Sequence, residues 1–431
     1  MFTSMMRRAL YADDSTLNLD FTTGVLDSRL TFTRSSTATY IDSSGYVASA
    51  SIDSPRFDHD PSTLAPKGLL IEGQATNLLQ RSEAVDQSPW FVAGTVVRAT
   101  FTGGNGPNGV NNSGSKLSAT NISASSSLYY NGVSLTAQTY TMSVFAKADG
   151  ADWIWINVQS GGTIHGAFFD LSGNGALGNT TGTVVSGSNI ITKYPNGWFR
   201  IQFTFTGTAA TWFPVLLPCT SNGTGYASIA GQAPNGVLVY GAQLETGSGA
   251  SSYIPTGAST ATRALDSCVM TGTNFTSWFA GATEGVLYAE HERPRSESGN
   301  TTHDHASVGS RYTSGGLFSL YVVGIPTLYP TTLLWTTGGA LFAGGISSAV
   351  PANTKAAARW FNGNDATNFS NGVQGTTGNG SGTVTPTMLC IGAHSTDGIV
   401  ASRDFLNACV RQVKFWPVAL PDSQIIAITT P

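Results

Sequence analysis

Apolar and polar residues alternate with a period of two through most of the chain, in short runs punctuated by Gly, Ser, Thr and Asn. Thr139-Tyr140-Thr141-Met142-Ser143-Val144-Phe145-Ala146-Lys147 is one such run, and Trp153-Ile154-Trp155-Ile156-Asn157-Val158 follows it across a glycine. Gly197 to Phe205 and Gly236 to Leu244 repeat the style. A period of two places successive side chains on opposite faces of a strand, so these runs predict half-buried strands joined by polar turns. The region from 263 onward continues the pattern in Glu284 to Glu290, Gly316 to Val323, Thr354 to Trp360 and Val410 to Trp416. Before residue 81 the apolar pieces are thinner, as in Leu17-Asn18-Leu19-Asp20-Phe21 and Leu30-Thr31-Phe32-Thr33. A segment so poor in large apolar residues cannot build its own core and should pack on a neighbouring domain or on another protein. Only Pro421 to Ala427 reads as a helical turn, with Pro421 and Asp422 suited to its start. The expected fold is all-β: two β-sandwich domains of jelly-roll, lectin-like type in tandem, over 82–262 and 263–431, after an N-terminal segment, 1–81.

Composition supports this and removes several function classes. Charged residues are 11% of the 431, against 50 glycines, which suits a turn-rich β protein rather than a helical one. A formal net charge of −4, with no basic cluster denser than Arg7-Arg8, gives no surface able to track phosphates, so no nucleic-acid partner is expected. Membrane insertion is not expected either: a span needs about eighteen consecutive apolar residues, and Leu317 to Ile325 is short and broken by Ser319 and Gly324. Ala9 to Asp14 lacks the apolar stretch of a secretory signal, so assembly in the cytoplasm is expected. Cys219, Cys268, Cys390 and Cys409 show no zinc-type spacing. They read as buried thiols, with a bridge between Cys390 and Cys409 left open should adjacent strands bring them together. No metal and no cofactor is expected.

The order of words near the start carries a resemblance. Leu30-Thr31-Phe32-Thr33-Arg34-Ser35-Ser36-Thr37-Ala38-Thr39-Tyr40-Ile41-Asp42, then Pro55-Arg56-Phe57-Asp58-His59-Asp60-Pro61 and Gly68-Leu69-Leu70-Ile71-Glu72, resembles the opening of many tailed-bacteriophage structural proteins. Ala75-Thr76-Asn77-Leu78-Leu79, Tyr140 to Lys147, Asn196-Gly197-Trp198-Phe199-Arg200, Gly241 to Glu245 and Tyr253-Ile254-Pro255-Thr256 resemble the carbohydrate-binding-module-like sandwich of those proteins. Phe361-Asn362-Gly363-Asn364, Cys390 to Ala393 and Val413 to Pro421 are similar to a laminin-G or concanavalin-like jelly roll. The resemblance implies a virion component on the particle surface, in a fibre or spike, docked to other virion proteins through residues 1–81. It also implies a homotrimer or other homo-oligomer making multivalent contact with host surface polysaccharide. A head decoration protein without ligand and a capsular polysaccharide depolymerase stay open beside it.

Candidate binding residues are aromatic. Trp153 and Trp155 share one face of their strand, and an open face there would stack on sugar rings; the alternative is packing under a loop or another subunit. Trp198 either seals an end of the sandwich or touches a ligand. Trp360, Asn362, Asn364 and Asp365 cluster at a turn and offer one ring and several polar groups, although Asn-Gly is also what tight hairpins demand. His303-Asp304-His305 reads as a solvated loop rather than a metal site, and His59, between two aspartates, as a turn residue. No catalytic residue is expected: Glu284, Glu290 and Glu292 are the candidate carboxylates, but Glu284 and Glu290, which share a strand face, lie roughly 20 Å apart, too far to flank one glycosidic bond, and nucleophile-elbow, phosphate-loop and HExxH motifs are absent.

Overall fold

The structure, a computed structural model, describes residues 13–119, 127–223, 235–292, 302–309, 317–323, 329–336, 339–343, 353–361, 365–379, 386–393 and 405–431. Among them the chain is all-β, with antiparallel strands in two sandwiches. The middle sandwich faces one sheet, Ile190–Lys193, Trp198–Thr206, Thr139–Asp149, Gly236–Thr246, Ser115–Ala119 and Val96–Thr100, against another. The second consists of Ala176–Thr181, Thr163–Asp170, Trp153–Ser160, Ala210–Cys219, Ser127–Tyr130 and Trp90–Ala93. Alternation decides what lies between them: Ile154, Ile156 and Val158 point inward with Trp90 and Leu128, and meet Met142, Val144, Ile201 and Phe203 of the facing sheet.

The later sandwich draws on both ends of the chain. Strand Ala408–Trp416 has one edge on Gly285–Glu292 and shares the other between Pro66–Ile71 and Leu17–Asp20, with Ala408 opposite Ile71 and Phe415 opposite Leu17. In the facing sheet Thr31–Thr33 pairs with Ser267–Thr271. Leu17, Leu19, Phe21, Phe32, Leu69 and Ile71 are therefore core residues of the sandwich formed by 267–429. From Leu17 onward the thin N-terminal segment pairs its strands inside this chain and buries most of its large apolar side chains there. Its hairpin, Ala38–Ile41 with Val47–Ala50, instead leans on the middle sandwich, where Val47 and Ile41 meet Phe145, Trp198, Tyr240 and Tyr253.

The chain leaves one sandwich for the other at Ala75–Asn77 and returns at Ala261–Arg263, and these two short strands pair with each other. Beside this neck lies a cluster of buried charge. Arg56 donates to Glu72 Oε2 at 2.9 Å and Asp266 Oδ2 at 2.5 Å, Arg34 reaches Asp266 Oδ1 at 3.2 Å, and Arg263 Nε stands 3.5 Å from Glu72. Burial works against the Arg56 charge, but Asp266 and Glu72 outweigh it and raise its pKa. The cluster joins residues from the N-terminal segment to residues 252–266, which lead out of the middle sandwich.

Two local expectations change. The helix Asp422–Thr429 forms as anticipated, but a second helix, Gly272–Phe279, was not marked by its sequence, which is short of strong helix formers. Phe275, Trp278 and Phe279, at i, i+3 and i+4, bury one side of it against Phe415 and Met270, so tertiary packing outweighs propensity. Thr302–Gly309, anticipated as a solvated loop around His303-Asp304-His305, is a strand held between Leu317–Val323 and Met388–Ile391. All four cysteines are buried and none is disulfide-bonded; Cys390 and Cys409 lie in opposite sheets, so no bridge joins them.

Candidate functional site

The tryptophans singled out in the sequence do not form an open platform. Trp155 is fully buried and stacks on Phe168, ring centroids 5.1 Å apart and planes 3° from parallel. Trp153, two residues earlier on the same face, is half-buried, and Gly178 lies so close that a Cβ there would come within 2.7 Å of its ring. Trp198 is fully buried where the N-terminal hairpin meets the middle sandwich, and its Nε1 donates to the Asn105 carbonyl at 2.9 Å. Trp360 belongs to the core of the later sandwich, against Phe279 and Phe415. A ring with no free face cannot stack on a sugar, so Trp155, Trp198 and Trp360 are corrected to core positions, while Trp153 packs half-buried against the core. Asn362 and Asn364 lie outside the described residues; Asp365 opens strand Asp365–Ser370, and its side chain is outside them too.

The face that carries Trp153 and Trp155 does open at its other end. Along Trp153–Ser160 the outward positions continue to Asn157 and Gln159, and register places Asn157 opposite Val215 and Gln159 opposite Phe213. Val215 lies opposite Tyr129, and Tyr129 opposite Phe91. Phe91, Tyr129 and Phe213 thus stand on one surface of three adjoining strands, Phe213 one pleat further along. Phe91 and Phe213 keep 38% and 36% of their surface exposed, and the Phe91 and Tyr129 ring centroids are 6.1 Å apart. Gly132, at φ 84°, keeps Phe213 uncovered: a Cβ there would meet Thr211 at 2.6 Å and the Phe213 ring at 3.2 Å.

Polar groups border the rings. Gln159 Nε2 donates to Asn157 Oδ1 at 2.9 Å, which fixes the orientation of both amides, while Asn157 Nδ2 is buried without a hydrogen-bond partner. Asn157 is fully buried and Gln159 half-buried, so the Gln159 amide is the one beside the rings, and together they can take the apolar face of a pyranose and a hydroxyl. Sequence reasoning missed this end of the sheet. Trp212-Phe213-Pro214-Val215-Leu216-Leu217 is apolar on both faces, so nothing in it marks the exposed side.

Two of the three acidic candidates are paired. Glu290 accepts from Arg411 Nε at 3.0 Å, and Glu292 lies 3.2 Å from Lys67. Among the described residues no three His, Cys, Asp or Glu side chains gather as a metal site. Among them, too, no helix is long and apolar enough to cross a membrane.

No family model and no curated protein sequence matches the chain. Solved structures similar to part of it include the Ruminococcus gnavus IT-sialidase CBM40 bound to α2,3-sialyllactose, at 19% identity, covering 34% of this chain and 83% of that one, with a TM-score of 0.28. A leech intramolecular trans-sialidase is similar at 18% identity over 36% of this chain and 24% of its own, TM-score 0.28. A heptameric SAP-like pentraxin from Limulus polyphemus is similar at 11% identity over 35% and 70%, TM-score 0.28. Likeness at this level concerns the β-sandwich fold alone, which the strand pairing already establishes.

Proposed function

We propose that this chain is a non-catalytic glycan-binding protein, carried in several copies on the surface of a tailed-phage particle as part of a fibre or spike. The observation that carries the binding is the open row of Phe91, Tyr129 and Phe213 beside the Gln159 amide, which the buried Asn157 holds in place. A rigid sheet presents these groups without ordering a loop, which limits the entropy lost on binding. A shallow site of this kind binds weakly on its own, and several copies on one particle raise the effective affinity. The phage assignment is supported by the words Leu30 to Asp42 and Pro55 to Pro61. Because the strands within residues 17–71 pair or pack inside this chain, attachment to other virion proteins falls to the exposed apolar side chains of the turns between them, Val25, Ile52 and Leu64 among them.

A glycan array probed with the purified oligomer tests the binding reading. Phe213→Ala and Tyr129→Ala are each expected to weaken the retained interaction at least about tenfold, and equal binding by wild type and both variants would remove this face from the proposal. Incubation with host capsule is expected to release no new reducing ends; their appearance would favour a depolymerase. Stepwise dissociation of purified particles is expected to leave the chain with a tail or spike subassembly. Retention on the capsid shell would favour head decoration.

A further inference from the structure

A second site lies where the two sandwiches meet. A cavity of about 330 Å³ lies between strands of the N-terminal segment, the outer face of the middle sandwich and the start of strand Ala408–Trp416. That is near the lower end for ligand pockets, about 300–1,000 Å³, and suits one or two sugar-sized rings. Domain junctions are where such pockets concentrate. Lys67 and Glu292 keep 28% and 24% of their side chains exposed, so the cavity opens outward at their end.

Its lining is polar, and its charge is balanced. Lys67 Nζ sits 3.2 Å from Glu292 and 3.7 Å from Asp58. Burial lowers the Lys67 ammonium, but the neighbouring acidic groups of Cys409, Glu292 and Asp58 more than reverse this, and Lys67 stays charged. Arg200 is pinned by the Ser251 carbonyl at 2.8 Å and Ser143 Oγ at 3.3 Å, while its Nε is buried without a partner. Gln202 is 9% exposed and its amide makes no hydrogen bond among the described residues. Tyr194, whose phenol burial pushes up to about 12, keeps its proton as a donor.

Buried polar groups normally find partners, and unspent ones converging on a cavity call for a guest that supplies both donors and acceptors. An anion attracted by Lys67 and Arg200 meets Asp58 and Glu292, and a cation meets the reverse. A neutral polyhydroxyl molecule meets neither penalty. We propose that this interdomain cavity binds a neutral saccharide unit, held by the Gln202 amide, the Tyr194 hydroxyl and Lys67, separately from the aromatic face of the middle sandwich.

Calorimetry and saturation-transfer NMR on the full chain test this, with methyl α-D-glucopyranoside, methyl β-D-galactopyranoside and N-acetyl-D-glucosamine as probes and N-acetylneuraminic acid as an anionic comparator. At least one neutral probe is expected to bind at millimolar concentration and to outcompete the anionic one. Gln202→Leu is expected to weaken it at least about tenfold in a Phe213→Ala background, which removes any contribution of the aromatic face to the signal. Tyr194→Phe, which removes one hydroxyl, gives a second measurement should Gln202→Leu misfold, with weakening again expected. The proposal is overturned if no neutral probe binds, if the anion binds tighter, or if folded Gln202→Leu and Tyr194→Phe, each in that background, bind as Phe213→Ala alone does. Loss of the signal in Phe213→Ala would move the binding to the aromatic face and end the cavity proposal while sparing that of the face.

Discussion

Replacing Arg56 with methionine is expected to destabilise the protein by about 3–5 kcal/mol, the cost typical of removing one partner from a buried ion pair. The Arg56 side chain is fully buried, and beyond Glu72 and Asp266 it donates to the Thr39 carbonyl at 2.9 Å and Ser252 Oγ at 2.8 Å. Methionine keeps most of the volume but leaves Glu72 and Asp266 with reduced compensation in a fully buried site. Two other cations remain, yet Arg34 reaches only Asp266, and Arg263 stands 3.5 Å from Glu72. Arg56→Lys is expected to recover less than half of the loss, since a single ammonium cannot span both carboxylates as the planar guanidinium does. Because the cluster lies where the chain passes between sandwiches, the loss should also appear as earlier unfolding of the neck. Denaturation followed by circular dichroism, with hydrogen exchange over residues 66–77 and 261–267, reads both effects. A change below about 1 kcal/mol would show that water reaches the cluster and screens it as it screens surface pairs.

That cluster also shows where local sequence pattern stops being informative. Alternation within Thr139–Asp149 or Gly236–Thr246 announces a strand because the period is a local property of the backbone. Which strand it pairs with is not local: Leu17 opposite Phe415 joins the two ends of the chain, and neither run names the other. The N-terminal segment looked too thin for a core for a real reason, since its strands contribute single apolar faces to a core built mainly elsewhere. The tryptophan platform was misplaced for a related reason. Trp153 and Trp155 do share a face, but alternation cannot say whether a face is covered, and Phe168 and Gly178 cover this one. Openness reappears further along the same surface, at Phe213, where Gly132 adds no side chain against the ring. The helix Gly272–Phe279 carries its signal in three aromatics rather than in helix formers, so propensity alone passes over it.

Acidification is expected to destabilise the later sandwich before its carboxylates titrate, through His291. This imidazole is fully buried on strand Gly285–Glu292, with Nδ1 2.6 Å from the Glu292 carbonyl. Burial pushes its pKa down to about 4, and the bond to that carbonyl opposes this only in part. In the unfolded chain the same group titrates near 6.5. Below about pH 6.5 the unfolded state therefore binds a proton that the folded state refuses, and stability falls until pH reaches about 4, where the folded imidazole charges as well. The loss across that window amounts to about 3 kcal/mol. Asp58 works in the opposite direction: burial raises its carboxyl, so the folded state takes up that proton first and gains stability as pH falls. His291→Leu separates the two, because it removes the imidazole and leaves Asp58 in place. Urea midpoints measured from pH 7 to pH 4 should fall steeply for wild type and stay level or rise for the variant. Parallel slopes in the two proteins would mean that water or a local opening admits the proton to His291 in the folded state, and that burial does not hold it neutral.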